Sequence, residues 1–354
     1  LIDNVAEIKS ALDKGTLRLG GTETYVIDRL TGGEVHATDS GTASRTALFN
    51  LRNMIWDNDL LQALDLHEQT LPEIRPSCGD FGLASHPDFG GVKIAITADV
   101  VDAHAALFSQ GCQDNTVVKA TYGTGAFIEV NTGTTPVEPD GKLPVFIAWE
   151  IDGRVDYTVE GGVFSVGSAI DWMVRSGWLS SAKASSDMAF SVTDSGGVSM
   201  VPGFTGLSAP HWESNARASI TGLGLDTEPG HIARALLDGI AFQCADIVHA
   251  LNTKLNGSIQ EVRADGGPSK NCYLMQRQSD LLNMPVLVSR EPDMTALGAA
   301  YLAAIGAGQM TTRDVVAIKQ DADIYEPSMG TDERTDLWAK WQTSVHDVCK
   351  RIKA

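Results

Sequence analysis

Thr116-Val117-Val118-Lys119-Ala120-Thr121-Tyr122-Gly123-Thr124-Gly125-Ala126-Phe127-Ile128-Glu129-Val130 reads as two strands around a glycine turn. β-Branched and aromatic residues favour extended backbone, and the glycines of Gly123-Thr124-Gly125 relax the φ restriction that a tight reversal imposes. A second glycine turn, Asp265-Gly266-Gly267, follows the apolar run from Ile259 to Ala264. It leads into a helical pattern over Pro268 to Leu282, with proline in the first turn. Glycine lets backbone N–H groups approach an anion without an intervening Cβ. Two such turns point to two walls of a phosphate or nucleotide cleft; the alternative is two ordinary tight turns.

Around these turns the pattern alternates. Strands are expected over 115–121, 126–131, 144–151, 154–159 and 259–264, with helices over 165–178, 231–254, 268–282 and 295–306. Upstream, a helical pattern covers residues 1–15, an amphipathic helix 57–66, and a strand Val92 to Val101 running into a helix from Ala103 to Gln110. Strands followed by helices indicate an α/β architecture, with a boundary at 111–115 where the second sheet begins. The small-residue helix at 295–306 is expected to press on a sheet. The tail from Trp338 reads as a solvated amphipathic helix.

Composition narrows the function. At 354 residues the chain holds two cores, and 43% hydrophobic with 20% charged residues is ordinary for a globular protein. A net charge of −18 argues against a nucleic-acid surface and requires backbone N–H groups, helix ends or a metal ion to hold any phosphate. The five cysteines show no metal-ligand spacing, which points to a reducing, cytoplasmic setting without a zinc site. No apolar run approaches the roughly 18 residues of a membrane span.

Several residues could carry chemistry. Asp102, between strand and helix, is either a base for an attacking hydroxyl or a helix N-cap. Thr124 offers a hydroxyl and an N–H at the hairpin tip, for a phosphate oxygen or a water on Mg²⁺, or for its own turn. Phe127 either faces a ligand or packs in the core. Gly167 and Asp171 are one turn apart on a helix face, open to a flat ligand or to another helix. Asn271 could reach a base or ribose, or bond locally. Glu160 is a second acid or a turn carboxylate, and His104 and His211 lack partners at metal spacing.

The order of motifs resembles the FGGY family of carbohydrate kinases, with the glycerol-phosphorylating members nearest. The matching segments are Gly33 to Asp39 with Ala43-Ser44-Arg45-Thr46, Val101 to Phe108, Thr121 to Phe127, and Glu160-Gly161-Gly162 through Trp172. Phe204 to Trp212, Asp265 to Asn271, Leu274-Met275-Gln276 and Thr295 to Leu302 complete the series. The resemblance implies an actin/Hsp70-like (ribonuclease H-like) two-domain ATPase fold and ATP- and Mg²⁺-dependent phosphorylation of a polyol or sugar, most simply glycerol. It implies Asp102 as catalytic base, Ala103 and Phe127 beside the substrate, and Thr124, Gly167, Asp171, Gly267 and Asn271 at the nucleotide. It departs in having Val101-Asp102-Ala103-His104 where the glycerol-specific members carry Gly-Asp-Gln-Gln, and Asp171 where they carry Gln. It further implies that the first domain (1–111) is incomplete, lacking the family's N-terminal phosphate loop, and that 112–354 is the nucleotide domain. A pentulose or erythritol kinase and a non-catalytic fragment are the alternatives, with a homo-oligomer left open.

Overall fold

The computed structural model describes residues 2 and 4–352. The quoted stretch forms the hairpin it suggests, β1 (Val117–Tyr122) and β2 (Ala126–Gly133). β3 (Val145–Ile151) and β4 (Arg154–Val163) form a second hairpin, whose β4 pairs antiparallel with β2. On its other side β1 pairs in parallel with β5 (Glu261–Gly266), followed by β6 (Val286–Ser289) and β7 (Ala322–Tyr325). The result is one mixed seven-stranded sheet in the order β7-β6-β5-β1-β2-β4-β3. The antiparallel arm β2-β4-β3 comes from the hairpins, which reverse the chain without a crossover helix, while β5, β6 and β7 are joined through helices.

Helices cover both faces. The helices that position the site are α1 (Ser40–Ser44), α2 (Asp102–Ser109), α3 (Gly167–Arg175), α4 (Ala184–Phe190), α5 (Pro229–Lys254), α6 (Cys272–Leu282), α7 (Met294–Gly306) and α8 (Thr331–Ile352). α5 starts on a Glu228/His231 capping box with proline at its first position, and it buries Leu236, Ile240, Cys244, Ile247 and Leu251 under the sheet. On the opposite face α2 lies across β1 and β2.

Four expectations change. The run 92–101 is strand only at Ile94–Ala95. The rest still pairs with 77–82, but singly, through Phe81 N to Ile96 O, Gly79 N to Thr97 O and Asp99 N to Ser77 O, so no regular ladder forms. α7 packs on α2 rather than on a sheet, because Gly298 admits the Ala105 backbone. The tail helix is docked rather than solvated: Trp341 stacks on Phe242 at 5.1 Å and is buried with Val345 and Val348. Pro268 to Leu282 is a 3₁₀ turn, Pro268–Lys270, then α6 after Asn271. Of the helix expected at 1–15, Ala6–Asp13 is helical, while residues 1 and 3, like 353 and 354 of the tail, lie outside the described residues. No helix among the described residues is long and apolar enough to cross a membrane.

Candidate functional site

The hairpin tip and the α3 N-terminus are joined through backbone bonds. Val166 N and Ser168 N donate to Thr124 O, and Gly167 N donates to Gly123 O. The first N–H groups of α3 are therefore satisfied by the tip itself, which satisfies donors that a helix start otherwise leaves open. This frees the exposed Thr124 hydroxyl from a capping role. A Cβ on Gly167 would meet Gly123 O at 2.7 Å and Pro268 Cγ at 3.6 Å, so this glycine has a packing reason and also marks where the two glycine turns converge. Asp171 is exposed one turn further on.

The paired glycines of the second turn behave differently. Gly266 has φ +90°, and a Cβ there would strike the Tyr122 carbonyl, so the strand-to-strand contact demands glycine. Gly267 has ordinary helical φ, is exposed, and has nothing within 4 Å of a Cβ position. The fold does not require glycine at 267. Asn271 is the α6 N-cap, its Oδ1 accepting from Leu274 N at 3.0 Å and its Nδ2 donating to Ser185 Oγ of α4 at 2.9 Å.

Asp102 opens α2 as an exposed residue, with Val101 in the N-cap position. Its Oδ1 accepts only the adjacent Ala103 N–H, at 2.6 Å, so it does not bridge to the second or third turn residue as a capping aspartate does. The N-cap alternative is thereby removed. Ala103 is half-buried beside it. Phe127 on β2 is 51% exposed, an unusual position for a strand aromatic, and pairs across the sheet with Thr121 and Gly162. Gly162 offers no side chain to cover it, and a Cβ there would approach the ring at 3.8 Å.

Beneath Asp102 runs a charged row absent from the expectations. Lys119, Glu129 and Glu160 are direct cross-strand partners on β1, β2 and β4, on the face covered by α2. Lys119 and Glu129 are buried with Nζ 3.5 Å from Oε1. Glu160 is a strand residue rather than a turn carboxylate, and Arg45 after α1 grips it with two bonds, Nη1 to Oε2 at 2.8 Å and Nη2 to Oε1 at 3.0 Å. His104 is fully buried, and neither ring nitrogen has a hydrogen-bond partner among the described residues. Burial, aided by the Arg45 charge, pushes its pKa down to about 3, so it is a neutral packing element and not an acid or base. One sequence signal marks this row: Lys119 and Glu129 lie five residues on either side of Thr124, hence opposite each other in the hairpin. His211 pairs with Asp246 at 2.9 Å in the second half of the chain.

The lead into α2 is held by a buried acid pair. Asp39 caps α1, accepting from Thr42 N at 2.7 Å, Gly41 N at 3.0 Å and Ser77 Oγ at 2.6 Å, while its own N–H donates to Asp99 Oδ2 at 3.0 Å. Burial raises the pKa of both, and burial plus the Asp39 charge pushes Asp99 up to about 8. The three bonds received by Asp39 favour its charged form, so the proton resides on Asp99. Because the folded pKa of Asp99 is raised, its contribution to stability is present below the ordinary carboxylate range and is lost as pH climbs through about 8. Asp99→Asn should therefore stabilise the protein by several kcal/mol more at pH 8 than at pH 3.5, as read by urea denaturation at the two pH values. An equal effect at both would show that Asp99 is not protonated in the fold.

Comparison with known proteins places this geometry. The N-terminal domain of the FGGY family of carbohydrate kinases matches residues 2–109, and the C-terminal domain of that family matches residues 118–307. The stretch 1–111, expected to hold an incomplete first domain, is the one that matches the family's N-terminal domain. A glycerol kinase from Halorhodospira halophila is 42% identical over 349 residues, 98% of this chain and 68% of the relative. Glycerol kinase 2 of Thermotoga maritima is 39% identical over 348 residues, 98% of this chain and 70% of the relative. The crystal structure of Plasmodium falciparum glycerol kinase with ADP superposes with a TM-score of 0.91 at 34% identity, covering 98% of this chain and 70% of that one. A xylulose kinase from Lactobacillus acidophilus, at 22% identity and a TM-score of 0.78, shares the fold. With the sheet, the two converging glycine turns and both domain matches in agreement, the chain belongs to the FGGY family of carbohydrate kinases and has its actin/Hsp70-like two-domain fold.

Proposed function

We propose that the chain transfers the γ-phosphoryl group of ATP to a hydroxyl of glycerol, giving glycerol 3-phosphate and ADP. The observation that carries this reading is the exposed, uncapped Asp102 carboxylate at the head of α2, on the same sheet face as the exposed Phe127. A carboxylate there accepts the proton of the attacking hydroxyl as its oxygen bonds to phosphorus and the bond to the leaving ADP breaks. Phe127 provides an apolar wall for the carbon side of a small polyol. The Ala103 side chain supplies no hydrogen bond, which favours a substrate recognised by shape on that side.

We assign the nucleotide to the converging turns. Thr124 donates to a phosphate oxygen, Gly267 lets the nucleotide lie directly on backbone, and Gly167, Asp171 and Asn271 line the same wall. Asn271 acts through the α6 start that it caps and the α4 bridge that it makes. We divide the domains at 111/112, between the two family matches.

The residues present fit Mg²⁺ that arrives with the nucleotide. Among the described residues no group of three or more His, Cys, Asp or Glu side chains could hold a metal by itself. Magnesium in phosphoryl-transfer sites typically takes one or two protein oxygens plus phosphate and water. Asp102 and the Thr124 hydroxyl are the exposed oxygen donors that would hold it, and the ion would neutralise phosphate charge. We also assign the protein to the cytoplasm, where ATP is available.

Gly267→Ala tests the nucleotide assignment apart from the fold. With helical φ and open space, the variant should keep its melting temperature while its Kd for ATP rises about tenfold, as read by calorimetric titration. Unchanged affinity would remove Gly267 from the site. A kinetic panel of glycerol, erythritol, xylulose and ribulose tests the acceptor; product from another member but not from glycerol would move the assignment to that substrate.

A further inference from the structure

The sheet face that carries Lys119 continues past α2 into a cavity. Arg263 on β5 is the cross-strand partner of both Lys119 and Leu287, so Leu287 and, two residues on, Ser289 of β6 lie on that same face. Ala322 of β7 is the direct partner of Ser289. These strands floor a cavity of about 260 Å³ beside Gln110, at the end of α2 opposite Asp102. Met294, at the start of α7, and Gln110 and Gln320 complete its inner walls. Val316 and Ile318 form its rim and are 56% and 36% exposed. A largely apolar lining with a few converging polar groups is the usual make-up of a small-molecule site.

The fold accounts for part of this lining. A helix end leaves carbonyls open and favours a cation, and Arg263 serves that need by donating from Nη1 to Gln110 O. Glu261 Oε1 accepts from Arg263 Nε and Nη2, each at 2.8 Å, which balances the guanidinium charge. Gln320 Nε2 donates to Ser109 O at 2.9 Å, and Ser109 Oγ donates to Met294 O at 2.6 Å, so the walls are tied to the helix end. Lys319 has no such task. It is exposed on the lining, and its ammonium has no hydrogen bond or ion pair among the described residues. In a chain of net charge −18, none of the residues that line this cavity is Asp or Glu.

The chemistry of the occupant follows from the charge and the size. With Glu261 set against Arg263, Lys319 leaves one positive charge uncompensated, which a monoanion cancels and a phosphate dianion overshoots. Glu261 and the Gln110 carbonyl use three of the five guanidinium N–H groups, so two remain for a ligand oxygen. The volume lies just under the roughly 300–1,000 Å³ of sites for drug-sized molecules, and the apolar side chains call for a hydrocarbon part. We propose that this cavity binds a small amphipathic monocarboxylate, a medium-chain aliphatic acid, with its carboxylate at Lys319 and Arg263 and its chain along Leu287, Met294, Val316 and Ile318. The site is separate from the phosphoryl-transfer site and independent of the acceptor used there.

The experiment is calorimetric titration of the full chain with sodium octanoate. Octanoate should bind at one site per chain with a Kd on the order of 1 mM or below. Acetate, which lacks the chain, and octan-1-ol, which lacks the charge, should each bind at least about tenfold more weakly. Inorganic phosphate should not displace octanoate. Lys319→Gln should weaken octanoate binding about tenfold and Lys319→Glu should abolish it, with melting temperatures unchanged because the side chain is exposed and makes no bond in the fold. Lys350→Gln, which removes another exposed lysine from the tail helix, should leave the affinity unchanged. Absence of saturable binding would overturn the proposal, as would octanoate affinity that ignores both Lys319 substitutions or falls equally in Lys350→Gln. Equal affinity for acetate or octan-1-ol would overturn the amphipathic reading, and displacement by phosphate would make this a general anion site.

Discussion

Asp102→Asn is expected to lower kcat about 10³-fold while leaving the Kd for ATP within about twofold, since general-base catalysis contributes roughly 10²–10⁴. The side chain makes one short bond to the adjacent Ala103 N–H, which asparagine Oδ1 can also accept. It caps no further backbone group, so the folded state should lose little. What asparagine cannot do is take the proton of the attacking hydroxyl. The expected pattern is a fall in kcat, an unchanged melting temperature and an unchanged nucleotide titration, which together distinguish a lost base from a lost fold. Near-parental turnover would return Asp102 to being an ordinary first-turn residue of α2.

Gly298→Ala should cost about 2–3 kcal/mol of stability, at the upper end of what overpacking a tight contact costs. Gly298 lies on the buried stripe Met294-Gly298-Leu302 of α7, and a Cβ there would run into the Ala105 carbonyl of α2. The obstacle is helix backbone, which cannot swing aside as a flexible side chain can, so the two helices must separate. α2 begins with Asp102, and the displacement should therefore lower kcat as well as the urea midpoint. Ala300→Ser, on the exposed side of the same helix, is the control and should change neither. If Gly298→Ala keeps the parental midpoint, the close α2–α7 crossing is wrong.

Much of the architecture was legible before any coordinates. The strand pairs around Gly123-Thr124-Gly125 and 152–153, the long helix from Pro229 and the strand before Asp265 all appear within a few residues of their expected places. These elements carry strong local signals: β-branched runs, glycine turns, a proline at the first helical position. The irregular segment 96–101 was misread because its composition is that of a strand while its partner, 77–82, supplies only isolated bonds. The tail helix was misread because its buried residues, Trp341, Val345 and Val348, occupy a narrow stripe among many charges.

The site divides along the same line. Asp102, Phe127, Thr124 and Gly267 could be singled out because their residue type is unusual for their local setting. The pairings of Arg45 with Glu160 and of Asp39 with Asp99 could not, although Glu160 was itself a candidate. Arg45 and Glu160 are 115 positions apart and Asp39 and Asp99 are 60 apart, so nothing in either neighbourhood signals the other. Local backbone preference and side-chain periodicity are short-range properties, and the chain by itself therefore determined its elements, their order and its family. Which carboxylates share a proton, and which glycine the fold requires and which lies open to solvent, depend on sheet register and on the packing of distant segments. Those are long-range properties, and only the tertiary structure decided them.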